Sequence, residues 1–299
     1  MNITGLHLKN PTILAAGIMG TTGASLIRMA REGAGAVVTK SIGPQPKEGH
    51  SNPSMVKLEC GYLNAMGLPN PSYESFLPEL EKAKDKAGVP VIASIFGGNP
   101  EEFRMVAEGL ISGKPDAFEL NVSCPHAMGY GASVGTDPAM VKAVTSAICE
   151  VTDIPVWVKL TPNVTDIVTI GKAAQAGGAD ALVAINTVRG MAIDIHSGYP
   201  VLGNRFGGLS GEAIRPVAVK CVYDLYANLD IPIIGVGGIS TWKHAVEMIM
   251  AGACAVQIGS GVYEGMNVFS DITAGINRFL KEHGYTKIED ITGIAHERF

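Results

Sequence analysis

Short apolar runs alternate with longer amphipathic stretches along the whole chain. Eight runs rich in Val, Ile and Ala are almost continuously apolar, which is typical of strands buried on both faces. They span residues 13–17, 36–40, 91–95, 117–122, 156–160, 181–186, 233–237 and 255–259. Helical periodicity is clearest over residues 101–111, 138–149, 166–176 and 242–250. Eight strand-then-helix units predict an α/β protein with a single (β/α)8 TIM barrel, and a doubly wound open sheet of six or seven strands is the alternative.

Local residue choices support these helices. Helix starts are marked by the pairs Asp137-Pro138, Thr165-Asp166 and Ser240-Thr241, which place a capping side chain before the first turn. Glycines that favour helix ends are Gly33, Gly88, Gly177 and Gly252. No shift in composition divides the chain, so we expect residues 1–299 to form one domain.

Two connections, residues 41–72 and 187–210, are much longer than the others. Long connections inside a barrel are commonly functional. Both follow predicted strands, so we expect them on the C-terminal face, where barrel enzymes carry their active sites.

Composition narrows the class of protein. Hydrophobic residues make up 46% of the 299 and charged residues 17%, which excludes a disordered chain. The net charge of −5 argues against a nucleic-acid-binding surface. No apolar stretch reaches the roughly 18–20 residues that span a bilayer, and residues 1–5 do not begin a secretory signal. We therefore expect a cytoplasmic protein that binds neither nucleic acid nor membranes.

The five cysteines are scattered and odd in number, which argues against disulfides, and no CxxC pair suggests zinc or an iron–sulfur cluster. Cys124 differs from the other four because it follows a predicted strand, precedes Pro125 and begins a glycine-rich loop. A thiol in such a place can act as a general base. His126 is the alternative base, and it has no second metal ligand at a suitable spacing.

Polar residues stand at or near the ends of the predicted strands, namely Lys40, Ser94, Asn121, Ser123, Cys124, Lys159, Asn186 and Thr187. Any one alone would be read as a cap or a surface residue. Lys159 fits that reading least, because apolar residues bracket it and a buried ammonium needs an anion or an electron-rich group. Their coincidence at equivalent positions predicts a site on the C-terminal face.

Glycine pairs follow the last two predicted strands, within residues 234–240 and 257–261. Barrels commonly bind a phosphate there on backbone N–H groups, although tight turns without a ligand would look the same. Neither segment is a Walker loop or a dinucleotide fingerprint. The expected ligand is a phosphorylated small molecule or a mononucleotide cofactor.

The ordered motifs resemble the dihydroorotate dehydrogenase family. They lie within residues 10–20, 38–41, 64–68, 121–125, 159–162, 186–187 and 207–211 and in the two glycine segments. The resemblance runs from about residue 3 to residue 280. It is closest to the cytoplasmic class with a cysteine base, and within it to the catalytic subunit of the NAD-linked (B) form.

The resemblance implies a barrel with non-covalent FMN that oxidises (S)-dihydroorotate to orotate in pyrimidine biosynthesis. Residues that would hold the substrate are Lys40, Asn64, Ala65, Met66, Gly67, Leu68, Asn121, Asn186 and Thr187. Residues that would line FMN are Ala16, Lys40, Ser41, Ser94, Asn121, Lys159, Ile185, Gly211, Gly237, Gly238, Gly259 and Ser260. Cys124 would take the C5 proton while hydride passes from C6 to flavin N5. The resemblance also implies a homodimer within a heterotetramer, in which a partner subunit with FAD and an iron–sulfur cluster passes electrons to NAD.

The sequence departs from the family pattern at four positions. Ala16 replaces a common serine, Ser94 an asparagine, Ser260 a threonine and His126 an asparagine. The segment 123–126 is also similar to dihydropyrimidine dehydrogenase, so a dihydrouracil-oxidising flavoenzyme is an alternative. Two further alternatives are a non-redox barrel that binds a phosphorylated substrate and a scaffold barrel without catalytic activity.

Overall fold

The computed structural model describes residues 1–123 and 134–298. In chain order the strands are β1 (Asn2–Ile3), β2 (Leu6–His7), β3 (Thr12–Leu14), β4 (Ala36–Val38), β5 (Met55–Leu58), β6 (Gly61–Asn64), β7 (Val91–Ile95), β8 (Ala117–Asn121), β9 (Val156–Leu160), β10 (Ala181–Ala184), β11 (Val188–Gly190), β12 (Gly207–Ser210), β13 (Ile233–Val236) and β14 (Ala253–Ile258). The helices are α1 (Gly23–Arg31), α2 (Tyr73–Lys86), α3 (Pro100–Ile111), α4 (Pro138–Cys149), α5 (Ile167–Ala176), α6 (Arg215–Asn228), α7 (Trp242–Met250) and α8 (Val268–Glu282). Short 3₁₀ turns lie at Val134–Thr136, Glu212–Ile214, Ser260–Glu264, Ile288–Asp290 and Ile294–Arg298.

Eight parallel strands close into a barrel in the order β10-β13-β14-β3-β4-β7-β8-β9. These are the eight predicted strands, so the predicted (β/α)8 barrel is confirmed and the open-sheet alternative is wrong. Six of the eight observed strands, β3, β4, β8, β10, β13 and β14, end one to three residues before their predicted ends at the C-terminal rim. The predicted N-caps Asp137, Asp166 and Thr241 each accept a backbone N–H bond in the first turn of their helix.

The barrel interior is filled by small and branched side chains around Trp157, which is fully buried. A hairpin of β1 and β2, which the sequence pattern did not predict, packs against this interior cluster through Ile3 and Leu6. The Trp157 indole donates a 3.0 Å hydrogen bond from Nε1 to Thr4 Oγ1 in the hairpin turn. The hairpin therefore covers one end of the barrel. It contributes apolar contacts and also accepts the hydrogen bond of the Trp157 indole.

The two long connections pair with each other to form an antiparallel sheet in the order β11-β12-β6-β5. One face carries a small apolar cluster centred on Leu63, Ala65 and Leu202. Residues of this sheet and of the barrel's C-terminal strand ends line one cavity. The connections thus lie on the predicted face and build a cover over it. Within the described residues, no helix has both the length and the apolar character needed to cross a membrane.

Candidate active site

A cavity of about 540 Å³ lies between the C-terminal rim of the barrel and the antiparallel sheet. Most of the residues that the sequence singled out line it, namely Ala16, Lys40, Ser41, Asn64, Ala65, Met66, Gly67, Leu68, Asn121, Lys159, Ile185, Asn186, Thr187, Gly211, Gly237, Gly238, Gly259 and Ser260. Residues from both long connections and from the strand ends thus meet at one place. Cys124 and His126 lie outside the described residues.

Ser94 does not line the cavity, and the structure places it behind Ser41. The two hydroxyl oxygens are 2.9 Å apart, and Ser94 is completely buried. Asn121 donates from Nδ2 to Ser41 Oγ at 3.1 Å, and Asn186 donates from Nδ2 to Asn121 Oδ1 at 3.3 Å. Side chains from four parts of the rim are therefore held in one hydrogen-bonded row, with Ser94 at its buried end.

Lys159 has a buried counter-charge that the sequence reasoning missed. Its ammonium lies 3.4 Å from Glu119 Oε1 and donates to Gln257 Oε1 at 2.9 Å. Gln257 Nε2 in turn donates to Glu119 Oε2 at 2.6 Å. Glu119 and Gln257 are fully buried, so the three side chains form a closed network inside the barrel. Removing one charge from such a network leaves the other unpaired in a medium that cannot solvate it.

Lys40 is also buried but has no such partner. None of the ion pairs within residues 1–123 and 134–298 involves it, and residues 124–133 contain no Asp or Glu. Burial without compensation lowers the pKa of Lys40 below its ordinary value of 10.5. An ammonium held in this way is poised to bind an anion or an electron-rich atom of a ligand.

The charge of the cavity opposes that of the whole chain. Lys40, Lys159 and Arg189 line it, and no Asp or Glu does among the described residues, although the net charge of the chain is −5. The Glu119 carboxylate neutralises the charge of Lys159 from inside the barrel, so Lys40 and Arg189 are the cavity cations without a counter-ion among the described residues. The cavity therefore suits an anionic ligand. Arg189 was missed because it lies in a long connection without a recognisable motif.

The glycines after β13 and β14 leave backbone rather than side chains at the cavity wall. Gly238 has a φ of +68°, and a Cβ there would lie 2.7 Å from the Gly211 carbonyl oxygen, so a side chain would displace the neighbouring turn. A Cβ on Gly259 would meet only Ala15 and Ile18, at 3.7 and 4.0 Å, and both of those line the cavity. The N–H groups of Gly238 and Ser260 donate to no acceptor within the described residues. Phosphate oxygens commonly accept hydrogen bonds from backbone N–H groups of this kind.

Burial keeps three of the described thiols from being activated. Burial raises the pKa of Cys149 and of Cys221 to about 11 and that of Cys254 to about 12, so these remain protonated near neutral pH. Within residues 1–123 and 134–298, His, Cys, Asp and Glu side chains form no group of three that could hold a metal ion.

The chain is similar to known proteins over nearly its full length. A family model described as "Dihydroorotate dehydrogenase" matches residues 1–280. Relatives named "Dihydroorotate dehydrogenase B (NAD(+)), catalytic subunit" include proteins of three archaeal genera. The protein of Methanosarcina acetivorans is 71% identical over 99% of this chain and 96% of its own length. That of Methanocella arvoryzae is 64% identical over 99% and 97%, and that of Pyrococcus abyssi 54% identical over 99% and 98%.

The two buried lysines give opposite predictions for stability. Lys159→Met leaves the Glu119 carboxylate buried without its partner, so the free energy of unfolding should fall by about 3–5 kcal/mol. Lys40→Met removes an ammonium that nothing compensates, so the free energy of unfolding of the ligand-free protein should rise at neutral pH. Urea unfolding of the two variants and the unmodified chain measures both changes.

The pH dependence of the Lys40 effect provides the control. The pKa of Lys40 is lower in the folded chain than in the unfolded chain, so the unfolded chain binds more protons between the two values. The stability of the unmodified chain therefore gains a contribution as the pH rises from the lowered pKa toward 10.5, and the advantage of Lys40→Met should shrink over that window. A destabilised Lys40→Met variant at neutral pH would contradict this account.

Proposed function

The chain belongs to the dihydroorotate dehydrogenase family, and on that premise we propose that it oxidises (S)-dihydroorotate to orotate in pyrimidine biosynthesis. The observation that carries the proposal is the cavity on the C-terminal face, which is lined by cationic side chains and converging amides and by no described acid. Dihydroorotate has a ring with amide-like donors and acceptors and one carboxylate, which matches that lining.

We propose FMN as the flavin of this chain. The flavin supplies the two-electron acceptor that takes hydride from C6 of the substrate. The residues present fit it, because the backbone N–H groups of Gly238 and Ser260 at the cavity wall donate to no acceptor among the described residues and could bind one phosphate. Lys159 would hold the ring system from the barrel side, with its ammonium fixed in place by Glu119 and Gln257.

The substrate would be held by Lys40 and by amides from several elements. Asn64 comes from β6 and donates to the Gly208 carbonyl oxygen at 3.3 Å, which fixes its side chain at the cavity. Asn121 and Asn186 are oriented by the hydrogen-bonded row that ends at Ser94. Ordered amides of this kind can distinguish ring carbonyl from ring N–H groups without reorganising, which orients C5 and C6 for reaction.

We propose that Cys124 takes the proton from C5. Ser123 precedes it directly, lines the cavity and donates from Oγ to the Lys159 carbonyl oxygen at 3.1 Å. Ser123 is thereby tied to the strand that carries Lys159, which supports a role for the next residue in the same cavity. The alternative base is His126, two positions further along the sequence.

The relatives' name "catalytic subunit" implies a further subunit in those proteins. We propose that this chain also works with a partner, which carries FAD and an iron–sulfur cluster and passes electrons to NAD. The proposed assembly is a homodimer of this chain within a heterotetramer. We further propose that residues 1–299 act as one FMN-binding domain and that the protein is cytoplasmic.

The cofactor proposal predicts that flavin released from the purified protein is FMN and not FAD. Gly259→Ala should lower the affinity for FMN by roughly ten- to hundredfold, because its methyl group would fill space at the cavity wall at a cost of about 1–3 kcal/mol. Gly284→Ala is the control, since Gly284 follows α8 and does not line the cavity. Chromatography identifies the flavin, and fluorescence titration of the apoprotein gives its affinity. Recovery of FAD, or unchanged FMN affinity in Gly259→Ala, would count against the assignment.

The base proposal predicts that Cys124→Ser slows flavin reduction by dihydroorotate about 10²–10⁴-fold at neutral pH, the size of a general-base contribution. Binding of FMN and orotate should be retained. The rate of the variant should keep rising at a pH where the unmodified enzyme has levelled off, because an alcohol ionises far less readily than a thiol. Anaerobic stopped-flow absorbance over a pH series measures this.

His126→Asn is the matched variant for the rival base. Its rate should stay within about threefold of the unmodified enzyme if Cys124 is the base, well below the loss expected for removal of a general base. A larger defect in His126→Asn than in Cys124→Ser would transfer the role to the histidine.

A further inference from the structure

The network of Glu119, Lys159 and Gln257 forms a polar layer between the apolar interior of the barrel and the cavity. Each of the three lies two residues beyond an apolar interior residue of its own strand, in the direction of the C-terminal rim. These apolar residues are Ala117, Trp157 and Ala255. Alternate residues of a strand project from the same face, so all three polar side chains point into the barrel. The apolar interior therefore ends in charged and amide groups beneath the cavity.

Two members of this layer reach the cavity, and the third does not. Lys159 and Gln257 line the cavity, whereas Glu119 does not line it and is fully buried. The Lys159 ammonium has three N–H donors, of which Glu119 and Gln257 accept two, so one remains without an acceptor in this network. Glu119 can therefore act on a ligand in the cavity only through Lys159.

The hydrogen bonds of Glu119 are those of an ionised carboxylate. Its Oε1 faces the Lys159 ammonium at 3.4 Å, and its Oε2 accepts from Gln257 Nε2 at 2.6 Å. A carboxylate accepts through both oxygens and donates none, which satisfies both neighbours. The Gln257 amide bridges the two charges, with its oxygen toward the ammonium and its nitrogen toward the carboxylate. The layer thus carries one positive and one negative charge and is neutral overall.

Stability alone does not account for this ion pair. Two charges in a barrel interior lose their hydration, and apolar residues of similar size often stabilise a fold at least as well. Glu119 and Lys159 lie on the neighbouring strands β8 and β9, and the interior layer next to them is apolar. The effect of the carboxylate on the charge of Lys159 at the cavity explains its presence better.

A flavin would make that charge matter, because it gains negative charge when it is reduced. A cation beside the ring system stabilises the reduced form and raises the reduction potential, and protein charges are one means by which this potential is tuned. An unpaired ammonium would act strongly in a buried site, where the effective dielectric constant is low. With Glu119 beside it, Lys159 keeps an N–H donor for the ligand but contributes much less net charge.

We propose that Glu119 is a positioning residue that holds and neutralises the Lys159 ammonium and thereby lowers the reduction potential of the bound flavin. The inference rests on the proposed function and deepens it. A flavin that passes electrons onward toward NAD, which is a weak oxidant, must itself give up electrons readily. Glu119 favours that direction of transfer, and Lys159 continues to hold the ring system.

The test is the reduction potential of the FMN-loaded protein, measured anaerobically against a dye of known potential with dithionite added in steps. Glu119→Gln keeps the size of the side chain and removes its charge. At a fixed dye potential, its ratio of reduced to oxidised flavin should rise roughly 10–100-fold, which is about 30–60 mV for a two-electron couple. One uncompensated charge has an effect of this size across roughly 6–12 Å at an effective dielectric constant of about 20.

Two further variants separate charge from shape and from loss of folding. Glu119→Asp keeps the charge, so its ratio should stay within about threefold of the unmodified protein. The double variant of Lys159→Met with Glu119→Gln removes both charges and leaves no buried ion unpaired. Its ratio should also stay within about threefold, because a neutral pair is replaced by neutral groups. The double variant decides the question if Glu119→Gln does not retain FMN, and a tenfold or larger fall in its ratio would overturn the inference.

Glu150→Gln is the control for a change of one unit in net charge. Glu150 is exposed, pairs with Arg104 and does not line the cavity, so its variant should have the potential of the unmodified protein. An unchanged or lowered ratio in FMN-loaded Glu119→Gln, or an equal rise in Glu119→Asp, would overturn the inference. The reductant is dithionite, so the result does not depend on the substrate. Failure of dihydroorotate to reduce the unmodified protein would instead overturn the proposed function, and the potentials would still decide the role of Glu119.

Discussion

Closure of eight parallel strands into a ring is the constraint on which the site depends. Because every strand runs in the same direction, every strand ends at the same rim, and residues far apart in the chain meet there. Glu119 and Gln257 are 138 residues apart yet share a hydrogen bond through this geometry. The connections that leave the rim then have room to pair into a sheet, which converts an open barrel mouth into a cavity.

The two buried lysines of that cavity, Lys40 and Lys159, have different electrostatic surroundings. The ammonium of Lys159 is offset by Glu119 and held by Gln257, so its position is structural before any ligand arrives. Lys40 has no described counter-ion and its lowered pKa reports the cost of burial. Such a group destabilises the empty protein and is stabilised by a bound anion or polar ring. The unequal environments leave Lys159 held by two partners and Lys40 without a counter-ion among the described residues.

The fold and most of the cavity lining could be predicted from sequence because both leave local signals. Apolar runs mark the strands, and polar residues at their ends mark the rim. Glu119 left no such signal, since it reads as one residue between Phe118 and Leu120 in a buried strand, and its partners are 40 and 138 positions away. The sequence did not indicate Arg189 or the antiparallel sheet β11-β12-β6-β5, because pairing between two long connections produces no periodic pattern of residues within either one. The sequence predicts Ser94 near the end of the correct strand. Its buried position behind Ser41 depends on how the side chains pack, which the sequence pattern does not show.

The substrate that this cavity is built for is a dihydropyrimidine that carries a carboxylate. Anaerobic titration of the flavin-loaded protein with dihydroorotate, and in parallel with dihydrouracil, measures this preference. We expect the visible flavin absorption to bleach with dihydroorotate and to persist with dihydrouracil. Bleaching by dihydrouracil alone, or by neither compound, would contradict it.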